Sequence, residues 1–205
     1  MGITMLSLTL IDNNKWITEG ISRYFAGKFI HVKNIDSDDI DSALSKIAGT
    51  DLLISELTAY GRDVQFFTEL LLKVQRTSPD TRIIVLTDLH EKAVISYVVS
   101  LLPGVTFLSK KCSLKALSDA VLGLPLATEF EADVRRTKQT LSAREFGLLR
   151  MLGQTSNLTD IGYKLHLSCK TISHHRQSII RKLNCANNKE LFSRLSRMGY
   201  HSKPV

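Results

Sequence analysis

This chain of 205 residues lacks several features that define whole classes of protein. Its three cysteines, Cys112, Cys169 and Cys185, are an odd number without CxxC spacing, which argues against a disulfide framework or a zinc site. No apolar run approaches the roughly 18 residues that cross a bilayer, and no basic start leads into an apolar secretion signal. We therefore expect a cytoplasmic protein with reduced thiols and no membrane segment.

Motifs for catalysis are missing as well. The sequence has no Gly-rich phosphate loop, no nucleophile beside a matching base and no intact metal-ligand cluster. We therefore predict neither enzymatic activity nor a cofactor or bound metal.

Acidic residues are scarce in the second half of the chain. The first 125 residues hold 13 Lys and Arg against 14 Asp and Glu, whereas the remaining residues hold 14 against 6. The range 161–189 contains no acidic residue but six cations: Lys164, Lys170, Arg176, Arg181, Lys182 and Lys189. This asymmetry favours a regulatory or scaffold domain joined to a polyanion-binding domain, and a merely solvated basic surface is the alternative.

The first half alternates between short apolar runs and segments with helical periodicity. The predicted strands are Leu6–Ile11, Phe29–Val32, Leu52–Ser55, Ile83–Thr87 and Val105–Leu108. A helix is predicted after each strand, and the second begins at a cap on Asp36 or Ser37. Five such units predict an α/β domain with a five-stranded, doubly wound parallel sheet. Functional residues in such folds lie where strands end: Asp12, Asn13, Glu56, Thr87 and Lys110.

This set resembles the receiver domain of bacterial response regulators, and the resemblance covers the whole first half. In that family an acidic pair after strand one and a phosphoacceptor Asp after strand three hold Mg²⁺. A Thr or Ser ends strand four and a Lys follows strand five. Asp12, Thr87 and Lys110 match this pattern, and Phe107 stands at the position of the family's switch aromatic.

Three departures from the receiver pattern affect the chemistry. Asn13 replaces one acid, Glu56 replaces the phosphoacceptor Asp, and Tyr60 replaces the usual Pro. Mg²⁺ requires closely placed oxygen ligands, so these changes predict a weakened metal site and a misplaced nucleophile. Glu56 could pair with Lys110 and imitate a phosphorylated Asp, or it could be an inert relic, and the sequence does not separate these interpretations.

The chain after the receiver-like half begins with a linker. Pro125, few apolar positions and mixed charge indicate that residues 124–139 join a receiver-like domain (1–123) to a second domain (140–205). Ser142 and Glu145 have the spacing of a capping box at the start of a helix. Thr159 or Asp160 is expected to cap a second, short helix.

A third helix of this domain is amphipathic and basic. Ser168 is placed to cap it after a break at His166 and Leu167, and it is predicted to run from Cys169 to Leu183. At about 100° per residue, apolar and polar side chains lie on opposite arcs. The apolar arc holds Ile172, Ile179, Ile180 and Leu183, and the polar arc holds Lys170, His174, Gln177 and Arg181. Two helices joined by a short turn predict a helix-turn-helix.

These residues closely resemble the LuxR/NarL-type DNA-binding domain, a four-helix unit. The matching residues are Leu141–Glu145, Ile161, Leu165, Ser168–Arg176, Ile179 and Lys182–Leu183. Thr155 and Gly162 depart from the family's usual Gly and Ala. With the receiver-like half, the chain resembles a NarL/FixJ-type response regulator with the layout of Rcs-type regulators and their receiver-degenerate partners.

The resemblance implies roles for individual residues. Ser173, His174 and Gln177 would face base edges, and Lys170, Thr171, Arg181 and Lys182 would contact phosphates or groove walls. A last helix carrying Leu191, Phe192 and Leu195, capped by Asn187 or Asn188, mediates dimerisation in the family, although these residues could also close the core.

The first functional hypothesis is a sequence-specific transcription regulator that binds double-stranded DNA and is not controlled by Asp phosphorylation. It would act as a homodimer, or as a heterodimer with a related response regulator, in the cytoplasm and on the nucleoid when DNA-bound. The alternatives are a conventional phosphorylation-activated response regulator and a protein–protein adaptor whose helix-turn-helix is vestigial.

Overall fold

A five-stranded, all-parallel sheet forms the centre of the first half. The structure is a computed structural model that describes residues 5–125 and 139–200. The strands are β1 (Leu6–Ile11), β2 (Ile30–Asn34), β3 (Leu52–Ser55), β4 (Arg82–Thr87) and β5 (Thr106–Ser109). Their order across the sheet is β2-β1-β3-β4-β5. The chain therefore adds β2 on one side of β1 and then β3, β4 and β5 on the other side. The predicted doubly wound α/β domain is confirmed.

Helices cover both faces of this sheet. They are α1 (Lys15–Phe25), α2 (Ala43–Ile47), α3 (Val64–Thr77), α4 (Lys92–Leu101) and α5 (Leu114–Val121). Two separate apolar clusters result, one on each face. The central strand β3 is buried along its whole length, as expected for a strand that is covered on both sides.

The segment after β2 differs from the helix that the sequence predicts. Residues Ser37–Ser42 form a 3₁₀ turn, and only then does the short helix α2 begin. Asp36 precedes this turn without a side-chain capping hydrogen bond. The tight turn buries Ile40, and the helix continues the same apolar side with Ala43 and Ile47.

The second half is helical in the part that the structure describes. It contains α6 (Ala143–Gln154), α7 (Leu158–Leu165), α8 (Cys169–Lys182) and α9 (Asn188–Arg197), which agrees with the predicted four-helix unit. Residues 126–138, most of the predicted linker, lie outside the described residues, so the proposed domain boundaries stay predictions. Within 5–125 and 139–200, no helix is long and apolar enough to cross a membrane.

The turn between α7 and α8 depends on two unusual positions. Asn157, and not Thr159 or Asp160 as the sequence suggested, caps α7 by accepting from the Thr159 backbone N–H. His166 then adopts a left-handed conformation with φ of 54°. A Cβ on Gly162 would lie 2.6 Å from the Leu167 carbonyl oxygen, so the absence of a side chain there permits the turn.

The predicted capping box at the start of α6 is present and also binds α8. The Ser142 side chain accepts from the Glu145 N–H, and the Glu145 carboxylate accepts from the Ser142 N–H at 2.7 Å. Lys182 Nζ donates to the same carboxylate at 2.6 Å. Burial alone would raise the pKa of Glu145, but these hydrogen bonds outweigh it and lower the pKa from 4.5 to about 2.

We therefore predict that Glu145→Gln destabilises the protein in a pH-dependent way. A carboxyl with a depressed folded-state pKa contributes stability above its unfolded pKa near 4.5, and the contribution disappears as the pH falls toward about 2. At pH 7 the variant should lose about 1.5–3 kcal/mol of unfolding free energy, the usual range for hydrogen bonds to a charged group. Urea denaturation at pH 7 and at pH 3 measures the difference, which should shrink at the lower pH.

The matched control is Glu19→Gln, which removes an exposed partner of Arg23 on α1. An exposed ion pair contributes little, so this variant should stay within about 0.5 kcal/mol of wild type. Equal stability of Glu145→Gln and Glu19→Gln at pH 7 would contradict the assignment of a stabilising role to Glu145.

Candidate functional site

Four of the five residues predicted at the strand ends form one buried cluster. Asp12 follows β1, Glu56 follows β3, Thr87 ends β4 and Lys110 follows β5. Backbone hydrogen bonds extend the sheet to these positions: Glu56 N–H donates to Ile11, and Lys110 N–H donates to Thr87, each at 2.9 Å. The fifth residue, Asn13, is solvent-exposed.

Lys110 joins the two carboxylates of the cluster. Its Nζ lies 2.7 Å from Asp12 Oδ2 and 2.6 Å from Glu56 Oε2. The second carboxylate oxygen of Glu56 accepts from the Leu57 N–H at 2.7 Å. Only 11% of the Lys110 side chain and 1% of the Glu56 side chain are exposed, so solvent screens these ion pairs weakly.

The environment changes the pKa of both partners. Burial raises the pKa of Glu56, although Lys110 and a hydrogen bond with the Thr87 side chain oppose the increase. Burial alone would lower the pKa of Lys110, but the Glu56 and Asp12 carboxylates raise it overall. Lys110 therefore remains a cation at neutral pH and balances one of the two carboxylates.

The donor set of this cluster does not fit the Mg²⁺ ion that receiver domains bind. Mg²⁺ needs several oxygen ligands in near-octahedral geometry, with carboxylates free to approach it. Here both carboxylates contact the Lys110 ammonium group, and Asn13 replaces the second acid of the pair. Across residues 5–125 and 139–200, no group of three or more His, Cys, Asp or Glu residues could hold a metal ion.

Tyr60 belongs to this site although the sequence pointed to it only as a departure from Pro. Its hydroxyl lies 2.8 Å from the Asp12 carbonyl oxygen and 2.9 Å from that of Ile35. The residue has a positive φ of 52°, a conformation that is uncommon for residues other than glycine. Tyr60 thus connects the loops that follow β1, β2 and β3.

Phe107, at the switch-aromatic position, is buried.

The helix α8 has one buried side and one exposed side. Ile172 and Ile179 are fully buried in the core of the helical half. Ser168 caps the helix by accepting from the Thr171 N–H at 3.0 Å. Four polar side chains that are exposed to solvent follow one another at about one helical turn, namely Lys170, His174, Gln177 and Arg181. Cys169, the first residue of the helix, is exposed as well.

The other three residues that the sequence assigned to DNA contacts have different environments. Ser173 is half-buried, and Thr171 is half-buried with its hydroxyl 2.8 Å from that of Ser168. Lys182 differs most, because its ammonium group binds Glu145 within the domain. No local pattern indicates this pairing, since the two residues are 37 positions apart. We therefore leave Lys182 out of the proposed contact surface.

Comparisons with known proteins agree with both halves of this arrangement. Residues 139–195 match the family model described as bacterial regulatory proteins, luxR family. The chain is 28% identical over 173 residues to the transcriptional regulatory protein RcsB of Escherichia coli strain K12, covering 78% of this chain and 79% of that protein.

Solved structures of RcsB also align with nearly the whole chain. RcsB from Salmonella enterica serovar Typhimurium, bound to promoter rprA in the presence of phosphomimetic BeF3⁻, is 25% identical with a TM-score of 0.58 and coverage of 93% and 98%. A structure of two RcsB dimers bound to two parallel DNAs is also 25% identical, with a TM-score of 0.59 and the same coverage.

Proposed function

Because residues 139–195 carry a luxR-family domain and the whole chain resembles NarL/FixJ-type response regulators of the Rcs kind, we propose a function in transcription. The protein is a regulator that binds specific sequences of double-stranded DNA as a dimer. It works in the cytoplasm, on the nucleoid when DNA-bound, and has no catalytic residues. The exposed polar and basic side of α8 is the observation that carries this proposal.

The exposed side of α8 has the chemistry that duplex DNA requires. An α-helix fits the major groove, where amide, hydroxyl and imidazole groups can reach base edges. His174 and Gln177 are exposed, with Ser173 beside them, and these three residues read bases. Lys170 and Arg181 lie toward opposite ends of the helix, where their charges reach the two phosphate backbones, and Thr171 contributes near Lys170.

We predict that Lys170→Gln and Arg181→Gln each weaken binding to DNA, and by a similar factor for duplexes of every sequence. Each substitution removes one phosphate contact. The plot of log affinity against log salt concentration should therefore become shallower, its negative slope decreasing in magnitude by about one unit. Fluorescence anisotropy with a labelled duplex at several salt concentrations measures both effects.

The control for these variants is Lys73→Gln, which removes an exposed cation from α3 in the receiver-like half. Its affinity and salt slope should match wild type. If all three variants behave alike, α8 has no special role in DNA binding and the adaptor hypothesis gains support.

The buried cluster supports regulation without Asp phosphorylation. The Glu56 carboxylate contacts Lys110 and hydrogen-bonds the Thr87 side chain, the two partners that the family uses for a phosphoryl group. Phe107 is buried, and the site lacks the free carboxylates that would bind Mg²⁺. Of the two interpretations of Glu56, these contacts favour the permanent mimic of a phosphorylated Asp over the inert relic.

We predict that wild-type protein incubated with a small-molecule phosphodonor and Mg²⁺ keeps its mass and its DNA affinity. Glu56→Gln should weaken DNA binding at least threefold, because the amide keeps the size of the side chain but loses the charge that faces Lys110. Intact-mass spectrometry and anisotropy provide the two readouts.

Loss of a buried charge partner also destabilises proteins, so thermal unfolding of Glu56→Gln is measured in parallel and binding is compared below its transition. A phosphoryl adduct on the wild type would support the conventional response regulator. A folded Glu56→Gln variant with wild-type affinity would leave Glu56 as a relic.

The face between α1 and α5 supports dimerisation through the receiver-like half. Trp16 is 89% exposed and Leu114 is 59% exposed, so two large apolar side chains meet solvent on one face. They border a groove of about 200 Å³ that also contains Gly20, one helical turn after Trp16. A Cβ on Gly20 would meet no atom within 4 Å, so the packing of this chain does not require a glycine there.

We assign this groove to a second copy of the same chain. A protruding indole and an adjacent groove on the same helix are self-complementary, so a two-fold axis would place each Trp16 in the groove of the other copy. A buried tryptophan contributes on the order of 150–250 Å² of contact. Dimers are also named among the related RcsB structures.

We predict that Trp16→Ala raises the dimer dissociation constant at least tenfold, while Leu122→Ala leaves it unchanged. Leu122 is 62% exposed and lies outside the residues that border the groove, so it matches Trp16 in exposure only. Mass photometry over a concentration series measures the constant. If the wild type dimerises only with a related regulator, the heterodimer hypothesis is favoured over the homodimer. An unchanged dissociation constant for Trp16→Ala would show that the face between α1 and α5 does not form the dimer.

A further inference from the structure

The two halves of the chain are joined by a bidentate ion pair. Arg150 of α6 donates from Nε and one terminal nitrogen to the two carboxylate oxygens of Asp63, at 2.7 and 2.6 Å. Asp63 is also the N-cap of α3 and accepts from the Phe66 N–H at 2.9 Å. The Asp63 side chain is 12% exposed, so this contact differs from an ordinary surface ion pair.

Apolar and neutral polar contacts surround this ion pair. The rings of Tyr97 on α4 and Phe146 on α6 lie 4.8 Å apart between centroids. The Gln65 side-chain amide donates to the Phe146 carbonyl oxygen at 2.6 Å in a buried position. One apolar cluster runs continuously from the sheet-facing side of α3 and α4 into the core of the helical half. The two halves therefore share a core.

The end of α9 packs tightly against the start of α3. Gly199 has a φ of +83°, and a Cβ there would lie 2.8 Å from both the Arg62 carbonyl oxygen and the Asp63 Cα. The Val64 N–H donates to the Met198 carbonyl oxygen at 3.2 Å, and Tyr200 is buried. Residues 198–200 thus lie between the two halves. Position 199 requires glycine because its φ is positive and because no room for a Cβ exists beside Arg62 and Asp63.

These contacts leave the proposed DNA-reading side of α8 uncovered. They use α6 and the end of α9, whereas Lys170, His174, Gln177 and Arg181 remain exposed in the same structure. The docked arrangement is therefore compatible with DNA binding, and no opening of the two halves is needed to expose the reading side.

We propose that the contact formed by Asp63, Arg150 and Gly199, hereafter the interdomain contact, determines which spacing of DNA half-sites the protein accepts. This inference rests on the proposed function as a dimeric DNA-binding protein. With the interdomain contact formed, each α8 is held at a constant distance and angle from the α1–α5 face where two copies meet. One spacing, with half-sites on the same side of the duplex, then fits best.

The interdomain contact orients the halves, whereas the Tyr97–Phe146 and Gln65–Phe146 contacts beside it are mostly apolar or neutral. If the interdomain contact is lost, these remaining contacts no longer hold each helical half at one angle to the receiver-like half. The second α8 could then reach half-sites at several distances from the first. The interdomain contact thus acts on specificity, because it changes the relative affinity of duplexes that differ only in spacing. Affinity for a single half-site does not depend on it.

The experiment compares duplexes with the best half-site spacing, with a spacing shifted by about 5 base pairs, and with one half-site. Wild type should prefer the best spacing over the shifted one at least tenfold. Arg150→Gln and Gly199→Ala should reduce this preference to about twofold, with single-half-site affinity unchanged. Asp63→Asn keeps an acceptor for the α3 cap while removing the charge, so it should act like Arg150→Gln.

Gly104→Ala is the matched control for Gly199→Ala. Gly104 has a φ of +78°, but its Cβ would meet no atom within 4 Å, so the backbone strain is similar and the interdomain contact is untouched. Small-angle scattering of each free variant reports whether the halves separate, independently of any DNA. Thermal unfolding shows that each variant is folded at the assay temperature.

Two results would overturn the inference and leave the proposed function in place. If variants with separated halves keep the wild-type spacing preference, the interdomain contact does not set it. If they bind a single half-site more tightly than wild type, the contact inhibits binding. If instead wild type binds no duplex at all while scattering shows the halves docked, the proposed function fails and the spacing role falls with it, whereas the interdomain contact itself stands.

Discussion

The ion pairs of Lys110 with Asp12 and Glu56 are the interaction on which the receiver-like half depends. They connect the ends of β1, β3 and β5 at the edge of the sheet where receivers carry out phosphate chemistry. A buried cation between two carboxylates leaves no free oxygen cluster for Mg²⁺. The same contacts occupy Lys110 and Thr87, and they are the basis for the proposal of regulation without Asp phosphorylation.

The contacts of the receiver-like half continue into the helical half. Phe146 and Arg150 on α6 contact α4 and the start of α3, and the same helix is bound to α8 through Glu145 and Lys182. Ile172 and Ile179 fix the rotation of α8 about its axis, because both must remain in the core. The exposed side of α8 is therefore determined by packing on its opposite side.

Much of this arrangement follows from local patterns in the sequence. Apolar runs predict the five strands to within a few residues, and Ser142 and Ser168 mark the starts of α6 and α8 as capping chemistry requires. The strand-end residues could be identified because parallel strands bring their carboxyl ends to one edge. Local patterns also predict helix α8 with its two sides, since helical periodicity is encoded within a single segment.

The features that escaped prediction depend on residues far apart in the chain. Asp63 and Arg150 are 87 positions apart, and nothing near either residue indicates that they pair. The same applies to Lys182, which looks like a phosphate ligand until its position beside Glu145 is known. The 3₁₀ turn after β2 escaped for another reason, because its apolar spacing also suits an α-helix. Tertiary packing decided each of these cases.

In the proposed function this protein recognises a DNA sequence without a phosphorylation signal. Selection of duplexes from a random library with purified, unphosphorylated full-length protein measures that property. We expect enrichment of a motif with two related half-sites, and the same motif when phosphodonor and Mg²⁺ are added. If no motif is enriched, or if enrichment requires phosphodonor treatment, the proposed function is wrong.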